Sequence, residues 1–329
     1  MLRYAIRRIA QLVPATLGIL LLTFTLFNVV GGSSAQAVLG QHADASAIAA
    51  FNARYGFDKP LLLGPLSAPP GTPLRARVAR AFDTQFTAYC RDLLHGDFGE
   101  SVAYGMRVAD VLKSGVGPSL SITVPILIGG TIIALALAML AAAFRDRAAD
   151  TAVLFGSTLC MSVNYVVWIL AGQFLLSYKL RLFPIWGFEG FAYILLPVAI
   201  GILSGLGRDV RYFRAVLIDE SNRPYVRAAY SRGLSRRAVF MRHVLPNAMI
   251  PVVTYVSLSI PYLFTGSLLL ESFFGIPGLG GVSMNAIHSA DLSLIRAVVI
   301  LGALLYQLVN LATDLCYAWL DPRVKSLEA

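Results

Sequence analysis

Four histidines (His42, His95, His243 and His288) and three cysteines (Cys90, Cys160 and Cys316) are the side chains best suited to metal binding or nucleophilic attack. None stands at a metal-ligand spacing from another, and their separations imply no disulfide framework. No Ser-His-Asp or Cys-His grouping has a supporting pattern. None of the four lysines follows a glycine, so the phosphate-cradling G-x-x-x-x-G-K-[ST] loop is absent. What is concentrated instead is arginine. The stretch from Arg208 to His243 holds nine arginines against Asp209, Asp219 and Glu220. Its second part, Pro224 to Pro246, reads PYVRAAYSRGLSRRAVFMRHVLP. This is the chemistry of a surface, and either membrane orientation or a docking partner accounts for it.

The elements around that stretch are apolar. The chain of 329 residues is 57% hydrophobic and 14% charged, well away from the even mixture of a soluble domain. The apolar residues form long uncharged blocks of the kind a bilayer buries. The net charge of +9 gathers in the short connections between those blocks, which is how positive charge sets membrane orientation. That placement argues against nucleic acid as a partner.

In order, Arg3, Arg7 and Arg8 precede an apolar run from Ile9 to about Val30. Ala35-Gln36-Ala37 imitates a signal cleavage site, but a core this long fits an uncleaved membrane helix better than the shorter apolar region of a signal peptide. Residues 1–30 are therefore expected to be a cytoplasmic N-terminus and first span, and 31–117 a small helical periplasmic region. That region carries a Pro/Gly-rich insertion, Pro65 to Pro73. Further spans are expected at about 118–144, 151–177, 190–207, 246–271 and 297–320. A cytoplasmic loop is expected at 208–245 and a cytoplasmic tail at 321–329. The fold class is an all-α polytopic membrane protein with six transmembrane helices and both termini in the cytoplasm. Gly201 and Gly205 form a G-x-x-x-G that permits close helix packing. Ion-coupled pumps use ionisable groups at mid-membrane depth, and these spans hold almost none, Asp314 lying near a helix end. Power for uphill transport has to enter from another subunit.

Within the arginine stretch, Asn222 is expected to cap a helix opened by Pro224. Tyr225, Ala228, Ala229 and Arg232 share one face at helical spacing. Gly233 suits a left-handed stop, and Ser235 caps a second short helix from Arg236 to His243. Ala228 and Ala229 are small enough to let the first helix sit deep in a partner's groove.

Arg227 to Pro246 resembles the EAA loop of binding-protein-dependent ABC importer permeases, E-A-A-x-x-x-G followed by a hydrophobic-x-L-P. Ala228, Ala229, Gly233, Leu245 and Pro246 match, whereas Arg227 replaces the usual Glu and His243 the usual Ile. The wording YVRAA-x-x-x-GLSRR is similar to the dipeptide/oligopeptide/nickel branch. Five further stretches resemble that branch in order: Met1 to Phe24, YGFDKPL (Tyr55 to Leu61), LLHGDFGES (Leu93 to Ser101), GSLLLESFFGIPGLGG (Gly266 to Gly281) and DLCYAWLDPRVK (Asp314 to Lys325). On these motifs the chain is identified as a member of that branch, with the B-type permease as its counterpart.

The resemblance implies a type I ABC importer permease fold in the bacterial inner membrane. It implies half of a translocation pathway, completed by a homologous C-type permease. Two ATP-binding subunits, which carry ATP and Mg, lie below, and a periplasmic substrate-binding protein lies above. The chain itself has no catalytic site, metal or cofactor. ATPase coupling is expected through Pro224, Tyr225, Arg227, Ala228, Ala229, Gly233, Leu234, Leu245 and Pro246. Glu271, Phe273, Phe274, Pro277, Gly278 and Gly280 are expected either to gate the periplasmic side or dock the binding protein, or else simply to connect two helices. Peptides are the expected cargo; nickel chelates, glutathione and peptide antibiotics are the alternatives. An ion-coupled secondary transporter and a structural membrane protein are the competing readings, the first disfavoured by the missing buried charges and the second by the motif series.

Overall fold

A computed structural model of the chain describes residues 2–30, 44–55, 58–62, 64, 75, 81–260, 263 and 267–320. The Pro65 to Pro73 insertion and the 321–329 tail lie outside them. The protein is helical almost throughout and divides into two compact units. One comprises residues 1–113 and 283–307, and the other residues 114–282 and 308–329.

In the first unit, α1 (Leu2–Thr25) continues through a π-helical turn, Leu26–Val30. Beyond it come α2 (Ala45–Tyr55) and α3 (Gln85–Leu94). Thr84 caps α3 by accepting from Thr87 N, and the carbonyls of Pro60 and Leu61 accept from Gln85 N and Phe86 N. Pro60 and Leu61 thus satisfy donors that the first turn of a helix leaves open. Lys59 and Asp83 pair at 2.6 Å across the same junction. A two-stranded hairpin, β1 (Glu100–Ser101) and β2 (Met106–Arg107), follows.

The helix α4 (Val108–Ala143) has 36 residues and starts well before the expected 118. At about 1.5 Å per residue it is about 54 Å long, more than a bilayer core of about 30 Å requires. The expected span at 151–177 is instead a bent pair, α5 (Ala148–Ser162) and α6 (Tyr165–Gly172) with its π-helical extension to Lys179, meeting at 91°. Asn164 caps the second half by accepting from Val166 N. The helix α7 (Ala192–Ser221) extends fourteen residues past the expected 207, so the first part of the arginine-rich loop belongs to a membrane helix.

After α8 (Pro224–Ser231), helix resumes at α9 (Arg236–Val239). It passes through a π-helical turn, Phe240–Val244, into α10 (Leu245–Ser257) without a break. The expected fifth span therefore begins ten residues early and its helix ends at Ser257. The stretch between the expected spans 246–271 and 297–320 contains the end of α11 (Leu268–Phe274) and all of α12 (Leu279–His288). Last, α13 (Leu292–Leu320) starts before the expected 297 and takes in Arg296. Among the described residues, four helices are long and apolar enough to cross a membrane, and five if the bent pair is one crossing.

Of the G-x-x-x-G pair, only Gly201 makes a close approach. A Cβ there would lie 2.3 Å from Ile126 on α4, whereas one at Gly205 would meet nothing closer than 3.6 Å. The second tight contact falls at Gly207, against the Ser157 carbonyl of α5.

Candidate functional site

The arginine stretch folds into two helices at a sharp corner. Arg223, not Asn222, is the N-cap residue of α8; Asn222 closes α7 instead. Pro224 takes the first helical position, where its missing N–H costs nothing. Gly233 turns the chain at φ +81°, a conformation that costs other residues about 1–2 kcal/mol. Ser235 then caps α9 by accepting from Ala238 N at 3.3 Å.

The inner face of α8 is Val226 and Ala229, which are 0% and 6% exposed. They pack with Val239, Val244, Ala248 and Val252 of the following helix and with Phe213 and Leu217 of α7. Ala229 therefore fills its own fold and is not offered to a groove on a partner. The outer face carries Tyr225, Arg227, Ala228 and Arg232, continued by Gly233 and Leu234, all exposed. Arg236, Arg237 and Arg242 extend it. Arg223 and Glu220 approach to 3.8 Å, while Arg227, Arg232, Arg236, Arg237 and Arg242 have no ion-pair partner among the described residues.

Pro246 explains the π-helical turn. A proline inside a helix removes one backbone donor and crowds the preceding turn, and widening that turn relieves both problems. The His243 carbonyl in the widened turn accepts from Asn247 Nδ2 at 2.6 Å. The Tyr225 hydroxyl shares its proton between Glu220 Oε1 at 2.5 Å and this same carbonyl at 3.2 Å. One side chain of α8 thus ties the end of α7 to the π-helical turn that leads into α10. Desolvation, then the hydrogen bond and negative charge of Glu220, push the Tyr225 phenol up to about 12. It remains a neutral donor through the physiological range.

Beside this face, Asp150 receives both Arg214 Nε and Nη2 at 2.6 Å, and Asp146 N at 3.0 Å. This bidentate pair, its carboxylate buried and its guanidinium half-buried, anchors the Arg145-Asp146-Arg147 turn to α7.

The second group of expected site residues lies around Glu271, which is 1% exposed. Its Oε1 accepts from Ser119 Oγ at 2.7 Å and Ser267 N at 3.1 Å; its Oε2 accepts from Gly280 N at 2.6 Å and Gly281 N at 3.1 Å. Ser119 Oγ also accepts from Leu279 N at 2.7 Å. The carboxylate sits on the N-terminus of α12, where open N–H groups and the helix dipole favour negative charge. Glycine is required around it: a Cβ at Gly278 would lie 2.5 Å from both Glu271 Cδ and Ser119 Oγ, and one at Gly280 would lie 2.6 Å from Leu268 Cα. Of the residues expected to gate the periplasmic side, dock the binding protein or connect two helices, Glu271, Phe274, Gly278 and Gly280 are buried. Phe273 is half-buried, with its carbonyl bound by Gln173 Nε2 at 2.7 Å, and only Pro277 of the six is exposed.

Sequence reasoning passed over a related carboxylate, Asp291, which is 2% exposed. Its Oδ2 accepts from Ser101 Oγ at 2.6 Å and Ala103 N at 3.1 Å, and its Oδ1 accepts from Leu294 N at 3.1 Å. It fastens the hairpin to the start of α13. An Asp before an apolar run is a helix-cap signal that would have marked it.

Residues 118–326 match the family of binding-protein-dependent transport system inner membrane components. The chain is also 29% identical over 329 residues to the glutathione transport system permease protein GsiC of Escherichia coli (strain K12), covering 99% of each chain. The proteins of that name from Salmonella typhimurium (strain LT2) and Shigella flexneri serotype 5b align with the same identity and coverage. The chain belongs to the binding-protein-dependent transport system inner membrane component family and is a multi-pass inner-membrane permease of an ABC importer.

Proposed function

We propose that this permease forms half of an import pathway for short peptides, with ATPase subunits driving it through the outer face of α8. The observation that carries the proposal is the Tyr225 hydroxyl bridging Glu220 and the His243 carbonyl. A push on α8 reaches α7 and the α9–α10 helix through this bridge and through the Val226–Ala229 packing. The unpaired arginines around it suit an acidic partner surface. ATP and Mg act on two partner ATPases, a homologous C-type permease completes the pathway, and a periplasmic binding protein delivers cargo. Both termini lie in the cytoplasm, and six crossings result when the bent pair and the Arg236–Ser257 helix each count as one. Glutathione is itself a tripeptide, and the names of the relatives favour it within the peptide class.

Ala228→Leu tests the coupling surface, because Ala228 is exposed and its enlargement leaves the chain's own packing intact. In proteoliposomes holding the assembled complex, binding-protein-stimulated ATP hydrolysis and glutathione or dipeptide uptake are expected to fall together about tenfold, equivalent to about 1.4 kcal/mol of lost docking energy. Wild-type uptake with wild-type ATPase stimulation in this variant would remove α8 as the coupling element.

A further inference from the structure

Two fully buried side-chain polar atoms lack a hydrogen-bond partner among the described residues: Tyr89 Oη and Arg296 Nε. They belong to one cluster. The Arg296 guanidinium carbon lies 5.5 Å from the Tyr89 ring centroid and 5.6 Å from that of Phe27, and Phe24 stands 5.6 Å from Tyr89. No hydrogen bond from the terminal nitrogens of Arg296 is made among the described residues, and the side chain is half-buried. No carboxylate pairs with Arg296 among the described residues, and Tyr89 is no counter-ion, because burial pushes its phenol up to about 12 against the opposing pull of Arg296. The acids whose side chains lie outside the description are Asp314, eighteen residues further along α13, and Asp321 and Glu328 in the C-terminal tail. Aromatic faces satisfy part of a guanidinium's charge, but its N–H donors point in its plane and require an acceptor.

The position of the cluster identifies the acceptor. Phe27 is next to last in the apolar window Ala10–Asn28, and Arg296 is fifth in the window Leu292–Ala312. Both stand at a span's end, the depth at which lipid phosphates lie. Leading up to Phe27 along α1, Leu17, Leu21, Leu22 and Leu26 form an exposed apolar stripe, 42–68% accessible. It can carry an acyl chain whose headgroup then reaches the cluster.

We propose that Arg296 and Tyr89 bind the phosphate of an anionic phospholipid in the leaflet beside α3, with its acyl chain along the α1 leucine stripe. Arg296 supplies paired N–H donors and Tyr89 one O–H, which suits a phosphate oxygen pair. The site is independent of cargo and of α8.

The test uses the assembled complex in detergent, with bound lipids counted by native mass spectrometry after titration with phosphatidylglycerol. Wild type is expected to retain one phosphatidylglycerol that Arg296→Gln binds about tenfold or more weakly, since a charge-assisted hydrogen bond is lost. Arg296→Lys should retain it in part, because the charge remains and the planar fork does not. Should Arg296→Gln fail to accumulate, Tyr89→Phe removes a single hydroxyl and is expected to weaken the same lipid. Equal retention in wild type and variants overturns the site. So does equal thermal stabilisation by inorganic phosphate alone, which would mark a free-anion site. Loss of the partner permease from Arg296→Gln without a change in lipid count would show that a protein carboxylate fills it.

Discussion

Tyr225, Glu271 and Asp291 each hold together segments that the backbone alone does not. For Tyr225 the consequence is mechanical. Tyr225→Phe keeps the ring on α8 but removes the proton shared by Glu220 and His243. Binding-protein-stimulated ATP hydrolysis is expected to persist while uptake falls severalfold, and equal losses in both would point to docking rather than transmission. For Glu271 the consequence is stability. Glu271→Ala leaves Ser119 Oγ and the N–H groups of Ser267, Gly280 and Gly281 without their acceptor, and orphaning one such group costs about 1–3 kcal/mol. A large drop in the melting temperature of the detergent-solubilised protein is expected. Glu271→Gln should fall between, because an amide offers one accepting oxygen where the carboxylate offers two. Melting curves that coincide for all three proteins would show that the cap contributes nothing.

The π-helical turn at Phe240–Val244 and the bend at Val163–Asn164 distinguish the helices of this protein from plain membrane rods. The Asp150–Arg214 pair joins α5 to α7. Removing one partner of a buried ion pair costs about 3–5 kcal/mol, while replacing both with apolar groups is often neutral. Asp150→Ala should therefore reduce the folded yield sharply, and Asp150→Ala with Arg214→Leu should recover much of it. No recovery in the double variant would mean that the pair acts through something besides charge balance. Much of this layer is legible in the chain. Pro224, Gly233 and Ser235 mark the corner because proline, a left-handed glycine and a serine cap are local signals. Where α7 ends was not legible, because Arg208, Arg211 and Arg214 look like loop residues until Asp150 and the surrounding packing make them part of a helix. The inward turn of Ala229 was hidden for a related reason: helical spacing names a face but not which neighbour it meets. Glu271 and Asp291 read as loop carboxylates because their donors, Ser119 and Ser101, are distant in sequence.

As a permease, the chain has an exposed basic corner at residues 223–242 and a hairpin clasped by Asp291. Family membership and the apolar spans establish the transport role. The most direct measurement is uptake of radiolabelled glutathione, or a dipeptide, by proteoliposomes holding the complete complex with its binding protein outside and ATP inside. Wild type and Gly233→Val are to be compared. Valine at φ +81° is strained and displaces the corner without touching the membrane core. The account predicts ATP-dependent uptake by wild type, and near-complete loss in Gly233→Val with the complex still assembled. Uptake that proceeds without ATP, or that survives unchanged in Gly233→Val, would contradict it.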